Sequence, residues 1–355
     1  MKILLINTVP FRQNGISEMI FNYYDILKNE KGLEFDFVVN NFIEEKYRRK
    51  IDNENIFILN RSFKKILTYA EKLQEILIYG KYDLVHIHGN SSSMALEEYC
   101  IKNCCKSKII VHTHAVKGNY KILSYLCEKY FLKNYDVALA SGVEAGKSLY
   151  KGKNFLVIKN GIEVEKYFYN ESIKNNLKMR YGVADKKVIL HVGRYIHQKN
   201  HQFILDIFEE VRYKNKNVCL FLIGKGPLKK KIRSIARSRG LLNDIYFINQ
   251  TNKVQDFYSM ADMLLFPSKS ESLGMVVVES QYNGLHCLVS TAIPTMARIS
   301  NLVKYQSLSA PLKDWVHDIE EMLSLERNIK FNIVDKFNIK RCAEELKNIY
   351  LTTIN

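Results

Sequence analysis

Residues 266–279 read FPSKSESLGMVVVE. The apolar run 263–266 predicts a buried strand that the following Pro-Ser pair ends, and the apolar run after Gly274 predicts a helix. Glu271 and Glu279 lie on either side of the helix start, with seven residues between them. In an open α/β sheet, a loop at the carboxyl end of a strand presents side chains to ligands, and a helix N-terminus presents unpaired N–H groups to anions. The pattern therefore predicts a site for a phosphate and a sugar, although two glutamates at this spacing also occur by chance.

The composition fits a soluble globular protein of two domains. Of the 355 residues, 47% are hydrophobic and 25% are charged, and a chain of this length is too long for one ordinary core. No apolar run reaches the roughly 20 residues that a membrane-spanning helix needs. Residues 2–7 predict a first strand rather than a signal peptide, because they lack a small-residue cleavage site. The seven cysteines show no metal-ligand spacing, which indicates reduced thiols in a cytosolic protein.

The net charge of +16 is the unusual bulk property of the chain. It suits a polyanionic partner, such as a nucleotide, an anionic lipid surface or a nucleic acid. A codon bias that enriches lysine would produce the same charge without functional meaning. The sequence contains no helix-turn-helix, zinc-finger or glycine-aromatic RNA motif, so we expect no nucleic-acid partner. A non-enzymatic polyanion or nucleic-acid binder is the alternative from a different functional class.

Apolar strand-like segments alternate with helical segments along the chain. The strands predicted in the first half are 2–7, 35–39, 83–89, 108–115, 137–141 and 155–158. Those predicted in the second half are 187–194, 218–224, 245–248, 263–266 and 286–290. This alternation predicts parallel, doubly wound sheets. The Asn160-Gly161 turn signal divides the chain into a first domain, 1–162, and a second domain, 163–339, with a helix predicted after residue 340.

Basic residues follow the first strand of the second domain. Arg194 comes directly after Gly193, and Lys199 lies five residues further on. An arginine offers a bidentate fork and a lysine a point charge to phosphate oxygens, and a glycine lets the backbone approach them. These residues are therefore candidate ligands of a diphosphate, with a solvated surface loop as the alternative. The basic segment 229–239 is better explained as the solvated face of a helix.

In this order along the chain, these motifs resemble the retaining nucleotide-sugar glycosyltransferases of family 4, whose signature is two glutamates with seven residues between them. Residues 160–163 (Asn-Gly-Ile-Glu) are similar to the family's domain crossing, and the Ala-Ile-Pro loop at 292–294 is similar to the capsular and exopolysaccharide branch. The resemblance implies an α/β fold of the GT-B class, in which two Rossmann-like, doubly wound parallel-sheet domains face a central cleft. It also implies that the C-terminal helix, about 340–355, packs back on the first domain.

The resemblance implies a role for each candidate residue of the donor site. The site comprises Gly15, Gly193, Arg194, Lys199, Glu271, Gly274, Met275 and Glu279. Arg194 and Lys199 would bind the diphosphate, and Glu271 would bind the sugar hydroxyls; all three are expected to act in catalysis. Glu279 would bind the ribose hydroxyls. The glycines and the backbone at Met275 would lie near the phosphates.

Histidines end two predicted strands of the first domain. The resemblance places His114 beside the anomeric carbon of the donor and beside the acceptor, so we expect it to take part in catalysis. His112 points to the same side of its strand but lies deeper. His88 is a candidate for contacts with the acceptor. Structural histidines are the alternative at these positions, and we interpret His86 as a core residue.

Three positions depart from the family pattern. Asn14 stands where many members have a second glycine beside Gly15, and Asn200 stands where a glycine commonly follows the lysine. Ser280 replaces the alanine that commonly follows the second glutamate. A lone glycine is weak evidence, so Gly15 is the least specific member of the predicted donor site.

The resemblance implies a retaining glycosyltransferase of the hexosyl type. It would transfer a sugar from a nucleoside diphosphate, expected to be UDP, to a hydroxyl of a saccharide or lipid-linked oligosaccharide in bacterial surface polysaccharide synthesis. The sequence contains no Asp-x-Asp pair, so we expect neither a metal at the diphosphate nor another cofactor. Nucleotide-sugar epimerases share the GT-B fold and are the alternative enzyme class.

A basic and aromatic segment in the first domain indicates contact with a membrane surface. Residues 102–133 contain seven lysines and a single acid, Glu128, interleaved with large apolar side chains. Such a segment can lie on an anionic bilayer, and the basic residues of 42–50 could extend it. A buried helix whose lysines point outward gives the same pattern. We expect a cytoplasmic protein that can attach peripherally to the inner face of the cell membrane.

Overall fold

The computed structural model describes residues 1–12, 14–51, 56–114, 121–271, 273–327 and 335–355, without the side chains of 121–124. The chain divides into two compact units. The first unit comprises Met1–Ile162 and Lys336–Asn355, and the second comprises Glu163–Asp335. Each unit is built on its own parallel sheet with helices packed against it, so the predicted α/β class with two sheet domains is confirmed.

Seven parallel strands form the sheet among the described residues of the first unit. The strands are β1 (Lys2–Asn7), β2 (Glu34–Asn40), β3 (Ile56–Leu59), β4 (Leu84–Gly89), β5 (Lys108–Thr113), β6 (Val137–Ala140) and β7 (Leu156–Val157), in the order β3-β2-β1-β4-β5-β6-β7. The helices before the domain crossing are α1 (Gly15–Leu27), α2 (Glu45–Arg48), α3 (Ile66–Gly80), α4 (Ala95–Cys104), α5 (Lys121–Asn134) and α6 (Val143–Tyr150). Both faces of the sheet are covered, because Ile3 and Leu5 join one apolar core and Leu4 and Ile6 join another.

Six parallel strands form the sheet among the described residues of the second unit. The strands are β8 (Lys187–Val192), β9 (Val218–Ile223), β10 (Ile245–Ile248), β11 (Met263–Phe266), β12 (His286–Ser290) and β13 (Val303–Gln306), in the order β10-β9-β8-β11-β12-β13. The helices are α7 (Glu171–Arg180), α8 (His201–Lys214), α9 (Lys229–Ser238), α10 (Val254–Met260), α11 (Met275–Tyr282) and α12 (Leu312–Ser324). The order of strands along the sheet reverses between β8 and β11 here, and between β1 and β4 in the first unit. Such reversal points are where open α/β sheets bind ligands, beyond the carboxyl ends of the strands.

The chain returns to the first unit in its last helix, α13 (Ile339–Ile354). The return begins with a parallel bridge between Ile162 and Asn338. Buried residues recur along α13 at helical spacing, which gives it one apolar face. These residues are Ile339, Cys342, Ala343, Leu346 and Tyr350. They join the same core as the apolar face of α1, so α13 completes the first unit.

Replacement of Leu346 by alanine tests this contribution. Leu346 is 3% exposed in the core, so Leu346→Ala is expected to lower the free energy of unfolding of the first unit by about 2–5 kcal/mol, through lost burial and the cavity left behind. Leu351 lies on the same helix and is 42% exposed, so Leu351→Ala should change the free energy of unfolding by less than about 0.5 kcal/mol. Chemical denaturation followed by a probe in the first unit measures both. Equal effects of the two variants would contradict the packing of α13.

No helix in the described ranges is long and apolar enough to cross a membrane.

Candidate functional site

Two loops of the second unit meet where its strand order reverses. One loop follows β8 and the other follows β11. The Lys199 Nζ in the first loop donates to Oε1 of Glu271 in the second at 2.6 Å, and the two side chains are only 15% and 11% exposed. A charged hydrogen bond in such a partly dehydrated place is stronger than one on an open surface. Two predicted site residues separated by 72 positions therefore lie in direct contact.

Polar contacts between neighbouring residues fix these two loops to each other. The Gln198 side chain donates to the Ser270 carbonyl at 2.6 Å, and the Lys269 amide donates to the Gln198 carbonyl at 2.8 Å. The Asn200 side-chain amide donates to the carbonyl of Pro267 at 3.2 Å. Because these bonds hold both backbones, the Lys199–Glu271 pair is held by its surroundings as well as by its own attraction.

Asn200 shows why a departure from the family pattern is tolerated. Its φ is +56°, in the left-handed region, and it is the residue from which α8 begins. Glycine adopts this conformation without strain, and asparagine is among the side chains that tolerate it. Asn200 can therefore replace the glycine that commonly follows the lysine, and it adds the hydrogen bond to the second loop.

Arg194 is exposed at the start of the first loop. The turn that contains Gly224 and Gly226 packs against the backbone of the residues on either side of Arg194. Gly224 and Gly226 have φ values of +153° and +155°. A Cβ on Gly224 would lie 2.1 Å from the Gly193 carbonyl oxygen, and one on Gly226 would lie 2.7 Å from the Tyr195 nitrogen. Only glycine permits this approach, so the turn determines the position from which the Arg194 side chain extends.

Helix α11 presents its N-terminus after the second loop. It begins at Met275, with Gly274 at a φ of +87° as its N-cap. A helix leaves its first amide groups without intrahelical acceptors, so this end suits an anion. A Cβ on Gly274 would lie 3.2 Å from Ile293, which limits this position to a small residue.

Glu279 lies about one turn further along α11 than Met275 and is partly buried. Its Oε2 accepts a hydrogen bond from the Tyr258 hydroxyl at 2.7 Å. Burial raises the pKa of Glu279 to about 7, and hydrogen bonds from Tyr258 and Tyr167 act in the opposite direction. The carboxyl group therefore changes its charge close to neutral pH, and its ionised form depends on tyrosine donors.

In the first unit, Gly15 begins α1 after β1. A Cβ on Gly15 would meet no atom within 4 Å, so the space beside it is open. The Asn14 side chain caps the helix, accepting from the amides of Ile16 and Ser17 at 3.0 Å each. Asn14 therefore occupies two amides that a second glycine would have left for an anion.

Four histidines lie side by side on neighbouring strands of the first unit. His86 and His88 belong to β4, His112 belongs to β5, and His114 follows β5 directly. The His88 Nδ1 and the His114 Nε2 are 3.0 Å apart, and the His114 amide donates to the Asn90 side chain at 2.9 Å. Burial lowers the pKa of all four rings, that of His114 to about 3, so they are neutral at physiological pH.

The structure thus places the predicted residues in two groups, one in each unit. The second-unit group follows β8 and β11 and contains Gly193, Arg194, Lys199, Glu271, Gly274, Met275 and Glu279. The first-unit group contains Gly15, His88 and His114, of which the two histidines are in contact. His88 is only 4% exposed, and its contact with an acceptor stays a prediction. Sequence reasoning did not identify Tyr258, because a tyrosine on a helix ahead of the motif carries no local signal.

The family comparison bears on the second unit. Residues 174–332 match the family described as Glycosyl transferases group 1. The match covers less than half of the chain, and it confirms the predicted resemblance to a glycosyltransferase family. The matched segment includes both loops and α11, and therefore every candidate residue of the second unit.

Two relatives match about half of the chain. EpsF of Bacillus subtilis, which carries the name of a glycosyltransferase, is 31% identical over 195 residues, 53% of this chain and 51% of EpsF. The capsular polysaccharide biosynthesis glycosyltransferase CapH of Staphylococcus aureus is 30% identical over 206 residues, 56% of this chain and 54% of CapH. The chain thus spans about half the length of these relatives.

Solved structures resemble the whole chain at low identity. Anabaena HepE in complex with UDP has a TM-score of 0.79 at 14% identity, with 99% of this chain and 100% of HepE covered. A glycosyltransferase from Rickettsia africae has a TM-score of 0.81 at 16% identity, with 100% of this chain and 98% of that chain covered. These likenesses establish the fold, which is of the GT-B class.

Proposed function

We propose that the protein is a retaining, metal-independent glycosyltransferase that takes a sugar from a UDP-linked donor. The observation that carries the proposal is the contact between Lys199 and Glu271, which joins a cation suited to a diphosphate to a carboxylate suited to sugar hydroxyls. The group 1 family match and the UDP bound to HepE support the reaction class and the nucleotide. The name of CapH supports a role in capsular polysaccharide synthesis.

The donor diphosphate would lie against the loop after β8. Arg194 is exposed at this loop and can offer two parallel N–H groups to phosphate oxygens. Lys199 has three N–H donors, so it can keep Glu271 and still reach a phosphate. The first amides of α11 add a third source of positive potential. These groups would neutralise the charge that develops as the nucleoside diphosphate leaves, which is why we propose transfer without a metal.

The two glutamates would bind the two sugars of the donor. Glu271 would accept hydrogen bonds from the transferred sugar. The bond from Lys199 to Oε1 would orient the carboxylate, so that the other oxygen is available to the sugar. Glu279 would accept bonds from the ribose hydroxyls in place of, or together with, the bond from Tyr258. Both carboxylates would therefore orient the donor, and neither is required as a nucleophile.

The transfer step that we propose keeps the anomeric configuration. The acceptor oxygen forms its bond to the anomeric carbon on the face that the diphosphate leaves, and the carbon–phosphate oxygen bond breaks in the same step. The acceptor proton passes to the departing phosphate oxygen. His114 is the candidate that the first unit offers for this step. Burial lowers its pKa to about 3, so its neutral ring would orient a hydroxyl through a hydrogen bond.

A panel of nucleotide sugars with a saccharide acceptor tests this proposal. We expect UDP release and an α-linked product from one α-linked UDP donor, at the same rate with magnesium and after brief incubation with EDTA. Nuclear magnetic resonance of the product gives the configuration of the new bond. A β-linked product would contradict retention. A new isomer of the sugar without an acceptor product would support the epimerase instead.

We further propose that the first unit attaches to an anionic membrane surface to reach a lipid-linked acceptor. Exposed apolar side chains lie on α3 and α5 and on the turn before α3, and α4 contacts both helices. Phe63 is 87% exposed, Leu67 77%, Tyr125 77% and Leu126 72%. Exposed lysines accompany them, including Lys64 and Lys65 next to Phe63. Residues 115–120 of the predicted basic segment lie outside the described residues.

Vesicle binding tests this attachment. The double variant Phe63→Ser/Leu126→Ser is expected to reduce binding to vesicles rich in phosphatidylglycerol at least tenfold, because two apolar side chains no longer enter the interface. The control Tyr213→Ser removes a side chain that is 79% exposed in the second unit and should leave binding unchanged. Co-sedimentation at low and high salt measures the effect, and binding should weaken with salt. Equal loss in both variants, or none in either, would contradict this surface.

A further inference from the structure

The histidine cluster of the first unit contains a group of side chains that matches a metal-ligand set. His86, His88 and His112 are each buried, and one ring nitrogen from each lies within 4.8 Å of the others. They come from two adjacent strands, with His88 directly opposite His112 in the register. Imidazole nitrogens are common ligands of zinc and of other divalent transition metals.

The hydrogen bonds around the cluster leave the Nε2 atoms of His86 and His88 available. The Nδ1 of His86 is 2.7 Å from the hydroxyl of Tyr350, and the Nδ1 of His88 is 3.0 Å from the Nε2 of His114. When each Nδ1 carries the proton, each Nε2 presents a lone pair. Metal-binding histidines characteristically donate their second ring nitrogen to an outer partner in this way.

Several nitrogens of the cluster lack a partner among the described residues. These are His86 Nε2, both ring nitrogens of His112, and His114 Nδ1. A buried polar atom without a hydrogen bond is destabilising, so such a concentration points to a bound species. A small cavity of about 10 Å³ adjoins His88, His112 and Tyr350, which is room for one water-sized ligand.

We propose that His86, His88 and His112 bind a divalent transition metal ion such as Zn²⁺, with a water-sized fourth ligand in the adjoining cavity. In a tetrahedral site with Zn–N bonds of about 2.1 Å, the ligand nitrogens lie about 3.4 Å apart, so the rings would turn inward by about an ångström each. A bound water that ionises to hydroxide would offset one of the two metal charges in this apolar surrounding.

The metal would stabilise the first unit rather than take part in transfer. It would join β4 to β5 directly, and it would join α13 through Tyr350, which hydrogen-bonds to His86. The diphosphate ligands that we propose lie in the second unit and use no metal. The metal proposal therefore does not depend on the proposed reaction, and it assigns His88 to the metal in place of the predicted contact with an acceptor.

Metal binding by the untagged full-length protein tests the proposal, in a Cys104→Ser/Cys105→Ser background that removes competing thiols. After metal removal by a chelator, we expect one equivalent of Zn²⁺ or Co²⁺ per chain, with tetrahedral visible bands for Co²⁺ and a raised melting temperature. His112→Asn should reduce the bound metal below about a tenth of an equivalent. Tyr350→Phe removes the outer partner of His86 and should weaken affinity about 10- to 100-fold.

His201→Asn is the matched control. His201 is a buried histidine of the second unit whose two ring nitrogens also lack partners among the described residues, and its variant should keep the full equivalent. Circular dichroism confirms folding, and if His112→Asn does not fold, the wild-type stoichiometry and the Tyr350→Phe affinity decide. Less than a tenth of an equivalent on the wild type would show that the cluster holds no metal, and equal binding in His112→Asn would show that the metal binds elsewhere. Either result would overturn the proposal.

Discussion

Lys199→Ala is expected to lower kcat/KM for the nucleotide-sugar donor about 10³-fold, which corresponds to about 4 kcal/mol of transition-state stabilisation. The change removes a positive charge from the place where we propose that the diphosphate gains charge as it leaves. It also leaves Glu271, with its side chain 11% exposed, without its cation. Without the lysine, the Glu271 carboxylate would repel the negatively charged diphosphate. Steady-state kinetics with the donor found in the panel measures the effect.

Two variants distinguish this role from a general loss of charge. Lys269→Ala removes an exposed lysine from the adjoining loop and should change kcat/KM less than about threefold. Lys199→Arg keeps the charge and should retain part of the activity, although the geometry of the pair differs. Thermal unfolding shows whether each variant is folded at the assay temperature. An activity of Lys199→Ala within fivefold of the wild type would contradict the assignment.

Donor binding should weaken about tenfold between pH 8 and pH 6, because the carboxyl group of Glu279 titrates in this range. Its pKa is raised to about 7, chiefly by burial. We propose that the ionised form accepts hydrogen bonds from both ribose hydroxyls, and this form is lost as the pH falls through 7. At pH 6 about a tenth of the protein would be ionised at this position, which gives the expected factor. Calorimetry with an intact nucleotide sugar is suitable, because its diphosphate keeps its charge over this range.

Variants of Glu279 and its partner identify the titrating group. Glu279→Gln should flatten the pH dependence and weaken binding at pH 8 about 10²-fold, because an amide cannot accept two charge-assisted bonds. Tyr258→Phe removes a donor that stabilises the ionised carboxylate, so the midpoint should move to higher pH. A pH profile that persists in Glu279→Gln would assign the titration to a different residue.

The strands that the sequence predicts are those with apolar runs, including β7 and β10 at sheet edges. β9 (Val218–Ile223) and β11 (Met263–Phe266) are apolar along their whole length and buried at every residue. The two strands that were not predicted lie at sheet edges, where one side of the strand is open. β3 contains Ile58, which is 43% exposed, and β13 reads VKYQ with only its first residue buried. Short edge strands of mixed polarity carry no clear periodic signal.

The candidate site was predicted by residue but not by contact. The glutamate motif and the Gly-Arg with a later lysine indicated which side chains are candidates for donor binding. The pair of Lys199 with Glu271 depends on β8 and β11 being neighbours, although β9 and β10 separate them in sequence. The histidine cluster likewise depends on the pairing of β4 with β5. Long-range pairing of this kind follows from sheet topology, which local periodicity does not encode.

The central claim is that the loops after β8 and β11, together with α11, bind a nucleoside diphosphate. Amide hydrogen exchange with and without saturating UDP tests it directly, because bound ligand slows exchange where backbone amides are held. The account predicts slower exchange in peptides that cover 193–200 and 273–280, with loss of this protection in Lys199→Ala. UDP binding that leaves both segments unchanged, or that protects only peptides of the first unit, would contradict it.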